Sequence, residues 1–102
     1  MEARLVTLTP KPGQQQELAA FGTHAAVAEI SERPGNRGFV LVAHASGDRV
    51  VGLSLWDLAA DAEASGRLFR SHMAGVAEYL AGPPQPAMCS AMASSAAVLA
   101  RS

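Results

Sequence analysis

Two apolar segments between Arg37 and Trp56, separated by the polar turn Ser46-Gly47-Asp48, limit the possible folds most strongly. Two segments of strand length joined by a short glycine-containing turn are typical of a β-hairpin. Their residues scarcely alternate: Phe-Val-Leu-Val-Ala stands in the first segment and Val-Val-Gly-Leu-Ser-Leu-Trp in the second. Because successive strand residues point to opposite faces, both faces of this hairpin are apolar and both need cover.

The size of the chain predicts how these two faces are covered. Its 102 residues are typical of one domain, and after the strands there is room for about two helices, which cover one face of a sheet. Hydrophobic residues make up 49% of the chain but aromatic residues only 5%. The core is therefore mainly Ala, Val and Leu, and since an Ala-rich core buries little area per residue, association adds needed burial. We therefore expect a homodimer.

Charge and cysteine content exclude several classes of protein. The formal net charge is −1, with both signs scattered along the chain, so a nucleic-acid partner is not expected. The single Cys89 cannot form an internal disulfide and is typical of a reducing compartment. The sequence has no apolar run of about 18 residues and no signal-peptide pattern at Met1, which predicts no membrane partner. These features predict a cytoplasmic protein.

Proline and glycine divide the first half of the chain into elements. Residues 3–9 are rich in β-branched residues and end at Pro10, which predicts a first strand. A helix is predicted over residues 14–32, followed by Pro34-Gly35 and the hairpin. The helix has one apolar stripe at i, i+3, i+7 and i+10, formed by Leu18, Phe21, Ala25 and Ala28. This stripe is expected to face the sheet.

A second helix and a last strand follow the hairpin. Asp57 is the expected N-cap of a helix that begins at Leu58, and Ser71-His72 is the expected site of a kink. Gly82-Pro83-Pro84 ends that helix, and residues 87–94 are predicted to form the fourth strand. We expect one domain over residues 1–95 and a C-terminal tail over residues 96–102.

The predicted order is β-α-β-β-α-β, which is that of the ferredoxin-like folds. The expected fold class is α+β, with a four-stranded antiparallel sheet whose helices lie on one face. The other face is bare in a monomer, and the bare face of a second copy would cover it. This arrangement is a dimeric α+β barrel, and it agrees with the argument made from the hairpin.

Three sequence patterns resemble a known family. Pro12-Gly13-Gln14 forms a turn into the first helix, and the third strand ends in Trp56, followed by an acidic residue and an Ala/Glu-rich helix. A Ser-His pair then follows within Phe-Arg-Ser-His-Met at residues 69–73. Over about residues 3–94 the chain resembles the antibiotic-biosynthesis-monooxygenase family of dimeric α+β barrels.

The resemblance implies an activity and a substrate class. Members of the family include small tailoring oxygenases that convert phenols to quinones with dioxygen, without metal or flavin. It therefore implies a cofactor-independent monooxygenase acting on an apolar aromatic or polyketide-type metabolite. The quinone-forming relatives have a polar amide four residues before the tryptophan, where this chain has Gly52. The haem-cleaving relatives need an asparagine on strand one, which this chain lacks, so haem degradation is disfavoured.

The site residues are predicted from the resemblance and from the expected faces. His72 and Trp56 match family positions near the pocket and are the expected catalytic pair, although a core tryptophan and a histidine flanking a helix break are equally ordinary structural features. No metal site is expected because the histidines lack ligand spacing. Cys89 is expected to be buried and inert. The expected substrate-binding residues are Phe21, His24, Ser54, Phe69, Tyr79 and Arg70.

Two other functions fit the same sequence. A non-oxidative polyketide cyclase or isomerase needs the same apolar pocket and a proton shuttle, but it consumes no dioxygen. A non-catalytic ligand-binding barrel is the third alternative, because a fold does not determine a function.

Overall fold

The structure is a computed structural model that describes residues 1–92, so the expected tail over residues 96–102 lies outside it. Within residues 1–92 there are four strands: β1 (Glu2–Leu8), β2 (Asn36–Ala43), β3 (Val50–Trp56) and β4 (Gln85–Ser90). The helical elements there are α1 (Gln15–Phe21), a π-helical turn (Gly22–Ala26), α2 (Val27–Ser31), α3 (Ala59–Ala64), α4 (Gly66–Val76) and a 3₁₀ turn (Ala77–Tyr79).

The strands form one antiparallel sheet in the order β2-β3-β1-β4. The helices connect β1 to β2 and β3 to β4, so the predicted α+β, ferredoxin-like architecture is confirmed. The central strand β1 pairs Arg4 with Ser54 of β3 on one side and with Met88 of β4 on the other. Because paired residues share a face, these three side chains lie on the same side of the sheet.

One face of the sheet packs against the helices and the other does not. Alternate residues of β3 are buried, beginning at Val50 and ending at Trp56. On β2, Val40 and Val42 remain 47% and 52% exposed. The register places the large apolar residues of the open face together: Leu5, Val40, Val42, Val51, Leu53 and Leu55.

The π-helical turn changes which residues of the first helix are buried. The buried residues lie four apart, at Leu18, Gly22, Ala26 and Ile30. A π-helical turn takes more residues than an α-helical turn, so it rotates the stripe relative to the α-helical spacing. The prediction that Ala28 belongs to the buried stripe is wrong, because Ala28 is exposed, and Ala25 is only half-buried.

The second helix differs from the prediction at its start and at its break. The N-cap of α3 is Leu58 in an extended conformation, and Asp57 instead pairs with Arg37, whose Nε lies 2.6 Å from Oδ1. The break falls at Ser65, between α3 and α4, where the Ser65 hydroxyl donates to the carbonyl oxygen of Ala62 at 2.7 Å. The expected kink at Ser71-His72 is wrong, because α4 continues through it.

The fourth strand is shorter than predicted and is exposed along its length. It ends at Ser90, and Cys89 is an exposed free thiol. The prediction that Cys89 is buried is wrong for the single chain, because β4 is an edge strand and Cys89 points to the open face.

Candidate functional site

A cavity lies between the helical layer and the central strands β1 and β3. Its lining is overwhelmingly apolar, with Leu18, Phe39, Leu41, Leu68, Met73 and Val76 among the lining residues. Its volume is about 50 Å³, measured as the space open to the centre of a water molecule. Since roughly 10–15 Å³ by this measure holds one water, the cavity has room for on the order of four. A ligand larger than a small ring would therefore extend beyond it or displace side chains.

Trp56 forms an end wall of this cavity. It terminates β3, it is 1% exposed, and its indole Nε1–H donates to the hydroxyl oxygen of Ser54 at 2.9 Å. The alternation of strand side chains places both residues on the helix-covered face, as the sequence predicted. Because its single N–H is already used within the protein, Trp56 serves as an apolar wall rather than as a hydrogen-bond donor to a ligand.

Ser54 is a buried polar group that also lines the cavity. Its oxygen accepts from Trp56, while its own hydrogen has no acceptor among the described residues. A hydroxyl rotates to suit its partner. Ser54 can therefore donate to an oxygen atom placed in the cavity.

His72 is the buried member of the three histidines and lines the cavity from α4. Its Nε2 lies 3.2 Å from Oε1 of Glu29 on α2. An ionised carboxylate only accepts, so Nε2 carries the proton of this contact, and in a neutral imidazole Nδ1 then keeps its lone pair. The imidazole and the ring of Phe21 form a T-shaped pair, with centroids 5.5 Å apart and an angle of 84° between the planes. Two contacts thus hold the ring in one orientation.

Arg4 lines the cavity and was not predicted from the sequence. Its Nη1 donates to the hydroxyl of Ser65 at 3.0 Å and its Nη2 to the carbonyl of Ala62 at 2.6 Å. The guanidinium lies over the ring of Phe69, 4.6 Å from the ring centroid. Burial lowers the pKa of Arg4, and the nearby positive charge of Arg70 lowers this pKa further. The available signal was the strand period, which puts Arg4 on the core face with Val6 and Leu8.

The structure brings five of the eight expected site residues to the cavity, namely Trp56, His72, Phe21, Ser54 and Phe69. The other three lie elsewhere. His24 is exposed on the π-helical turn, and Tyr79 packs half-buried against the core cluster that contains Val76 and Leu80. Arg70 lines a separate, shallower groove on the far side of Arg4.

Two broader features of the described chain bear on its partners. Within residues 1–92, no three His, Cys, Asp or Glu side chains come together in a way that could hold a metal ion. No helix in the same range is both long enough and apolar enough to cross a lipid bilayer.

No protein-family model and no curated protein matches the chain. Several solved structures do match it. A Nitrosomonas europaea protein assigned as an antibiotic biosynthesis monooxygenase superposes with a TM-score of 0.78 at 19% identity, over 91% of this chain and 100% of that one. Rv0793 from Mycobacterium tuberculosis gives 0.76 at 19% identity, over 91% and 96%.

The monooxygenase ActVA-Orf6 of Streptomyces coelicolor, solved in complex with nanaomycin D, gives a TM-score of 0.77 at 21% identity. The match covers 91% of this chain and 88% of that one. These superpositions establish a common fold. At identities this low they do not extend to the chemistry of the site, which depends on each chain's own residues. The chain therefore has the fold of the antibiotic biosynthesis monooxygenases, as its sequence predicted.

Proposed function

We propose that this protein is a small monooxygenase that converts an apolar, phenolic, polyketide-type metabolite to a quinone without a bound cofactor. The observation that carries the proposal is the apolar cavity, which contains one buried imidazole held by a carboxylate and one buried indole wall. Its fold is that of a monooxygenase solved with a small-molecule ligand. We also propose, from its single cysteine, that it acts in the cytoplasm.

The reaction begins with loss of the phenolic proton. With Nε2–H directed to Glu29, Nδ1 of His72 is the nitrogen that accepts this proton. The negative charge of Glu29 then stabilises the imidazolium that forms. A phenolate in an apolar cavity is unfavourable unless donors hold its oxygen. Among the residues that line the cavity, Ser54 with its free hydrogen and Arg4 with its unused N–H groups are the candidate donors.

Oxidation follows without an external reductant. The phenolate transfers one electron to dioxygen, and the resulting phenoxyl radical and superoxide combine with formation of a carbon–oxygen bond. The ring carbon of the peroxide then loses its hydrogen as a proton while the O–O bond breaks. One oxygen atom stays on the ring as the new carbonyl and the other leaves in water. The phenol and dioxygen thus balance with the quinone and water.

Gly52 has no side chain that could donate a hydrogen bond to a ligand, so side-chain donors must lie elsewhere in the cavity. It lies opposite Val6 on β1, and a Cβ atom added at Gly52 would meet Val6 Cγ1 at 3.1 Å and Leu41 Cδ1 at 3.5 Å. A longer amide side chain at this position would occupy the cavity itself unless Val6 and Leu41 moved to make room for it. We propose that Ser54 and Arg4 take the role that the amide has in the quinone-forming relatives.

We further propose that the protein is a homodimer. The open sheet face carries Val40 and Val42, which are about half exposed, beside Leu53 and Leu55. A contiguous apolar patch of this kind is typical of an interface. A second copy placed face to face would cover both patches by two-fold symmetry.

A non-oxidative cyclase or isomerase is the second candidate, and Gly52 is the observation that favours it. Without the amide, the cavity has few donors, and an enzyme that chiefly holds a flexible chain in a reactive conformation needs few. Such an enzyme would use His72 to move a proton and would leave dioxygen unchanged.

An oxygen electrode distinguishes the two candidates. The purified protein is mixed with a panel of phenolic anthrones and naphthols in air-saturated buffer, and products are identified by mass spectrometry. A monooxygenase consumes one dioxygen per quinone formed. Conversion of a substrate without oxygen uptake would replace the monooxygenase proposal with the cyclase one.

A further inference from the structure

The groove beside the cavity contains two guanidinium groups. Its volume is about 350 Å³, counted like that of the cavity as the space open to the centre of a water molecule. It is lined by Arg4 and Arg70, together with Glu63, Gly66, Phe69, Pro86, Ala87 and Met88. Arg4 and Phe69 also line the cavity. These two side chains therefore form the boundary where the cavity meets the groove.

Arg70 is held close to Arg4 by the start of α4. A Cβ atom added at Gly66 would lie 3.3 Å from Nη1 of Arg70, so the Arg70 side chain folds back over this glycine. Arg4 binds the hydroxyl of the preceding residue, Ser65. The two positive charges thus meet at the same turn, and the charge of Arg70 is felt at Arg4.

Neither guanidinium forms an ion pair with a carboxylate in the part of the chain that the structure describes. Glu63 lies on the same groove without pairing with either. Arg4 uses two of its five N–H groups, on Ser65 and Ala62, so three are unused. Two neighbouring like charges with unused donors gain strongly from an anion placed between them.

We propose that the substrate carries a carboxylate, which Arg4 and Arg70 bind where the cavity meets the groove, while its aromatic ring occupies the cavity. The proposal rests on the proposed function for the aromatic part of the ligand. The small volume of the cavity agrees with it, since a larger metabolite must extend into the groove. A planar carboxylate suits the fork of a guanidinium, and the position of the Arg4 guanidinium over Phe69, with its bonds to Ser65 and Ala62, keeps that fork oriented.

Isothermal titration calorimetry with a matched ligand pair tests this site. The probes are 1-hydroxy-2-naphthoate and its neutral amide, which differ in charge and scarcely in shape. We expect the carboxylate to bind at least about tenfold more tightly to the unmodified protein, because charge-assisted bonds are the stronger ones. Arg70→Gln should bind the carboxylate and the amide with nearly equal affinity.

Arg67→Gln is the matched control, because Arg67 is an exposed arginine of the same helix that lines neither the cavity nor the groove. It should keep the full preference for the carboxylate. Arg4→Gln should lose the preference as Arg70→Gln does. If Arg4→Gln fails to fold because its bonds to Ala62 and Ser65 are lost, Arg70→Gln and the ligand pair still decide the matter.

Equal affinities of the two ligands, no binding of the carboxylate at millimolar concentration, or an equal loss in Arg67→Gln would overturn the proposal. The titrations are run in oxygen-free buffer, so binding is measured without oxidative turnover and its outcome is independent of the reaction. An arginine-dependent preference together with no oxygen uptake would leave the carboxylate site standing and remove the monooxygenase function.

Discussion

His72 Nε2 lies 3.2 Å from Glu29 Oε1, and this contact joins α4 to α2 through two residues that are 43 positions apart in the sequence. The side chain of His72 is 6% exposed, whereas that of Glu29 is 54% exposed. The carboxylate therefore stands between a buried imidazole and solvent. This arrangement orients the ring and gives an imidazolium a counter-charge, which is what a buried general base requires.

Glu29→Gln should lower kcat roughly tenfold, about 1.4 kcal/mol in activation free energy, while KM stays unchanged. The amide oxygen still accepts from Nε2, but it no longer carries the charge that stabilises the imidazolium. The effect is modest because Glu29 is half exposed and solvent screens its charge. Steady-state kinetics on the phenolic substrate measure it.

Glu32→Gln is the control for Glu29→Gln, because Glu32 is an exposed carboxylate just beyond the end of α2. It should leave both constants unchanged. A rise in KM without a fall in kcat for Glu29→Gln would mean that the carboxylate acts on binding alone.

Trp56→Phe should lower the free energy of unfolding by about 1–3 kcal/mol, because it removes packing volume and the Nε1–H that bonds to Ser54. Denaturant unfolding measures this change. Combining it with Ser54→Ala should give less than the sum of the single effects, since both variants break the same hydrogen bond. Strict additivity would show that the bond contributes nothing measurable.

The sequence predicted the fold and which strand residues share the helix-covered face, because both depend on short periods. The alternation of strand side chains sufficed to put Ser54 and Trp56 on one face. The positions of proline and glycine marked where helices and strands end. The apolar character of both hairpin faces predicted the open face that now carries Val40 and Val42.

Other features depend on contacts that no local pattern contains. Arg4 is held by Ser65 and Ala62, about 60 residues away, so the strand period gives its face of the sheet but not the groups that hold its guanidinium. The π-helical turn changes which residues of the first helix are buried, and an α-helical period of 3.6 residues does not predict this change. Asp57 was available as an N-cap, but its carboxylate is taken by Arg37 instead.

Val42→Asp should prevent dimer formation while leaving the protomer folded, because Val42 is 52% exposed in the single chain. Light scattering at micromolar concentration measures the assembly, and circular dichroism checks the fold. Val27→Asp is the matched control, since Val27 is 43% exposed on α2 rather than on the sheet. Identical masses for Val42→Asp and the unmodified protein would argue against assembly through the sheet.

Gly35→Ala should lower stability by more than Gly13→Ala. Both glycines have positive φ, +79° and +81°, where an alanine is strained by roughly 1–2 kcal/mol. At Gly35 the added Cβ would also lie 2.8 Å from Cβ of Asp61, whereas at Gly13 it meets nothing within 4 Å. Thermal unfolding of the two variants separates strain from collision, and equal losses would show that Asp61 moves aside without cost.

We propose that the cavity directs dioxygen onto a phenolic substrate, with His72 as the base. Mass spectrometry of the quinone formed under ¹⁸O₂ is the decisive measurement. We expect one labelled oxygen per quinone, and a rate lower by about 10²–10⁴-fold in His72→Gln, a variant that keeps a polar side chain in this buried position. A product without label, or one made equally fast by His72→Gln, would rule out this role of the cavity and of His72.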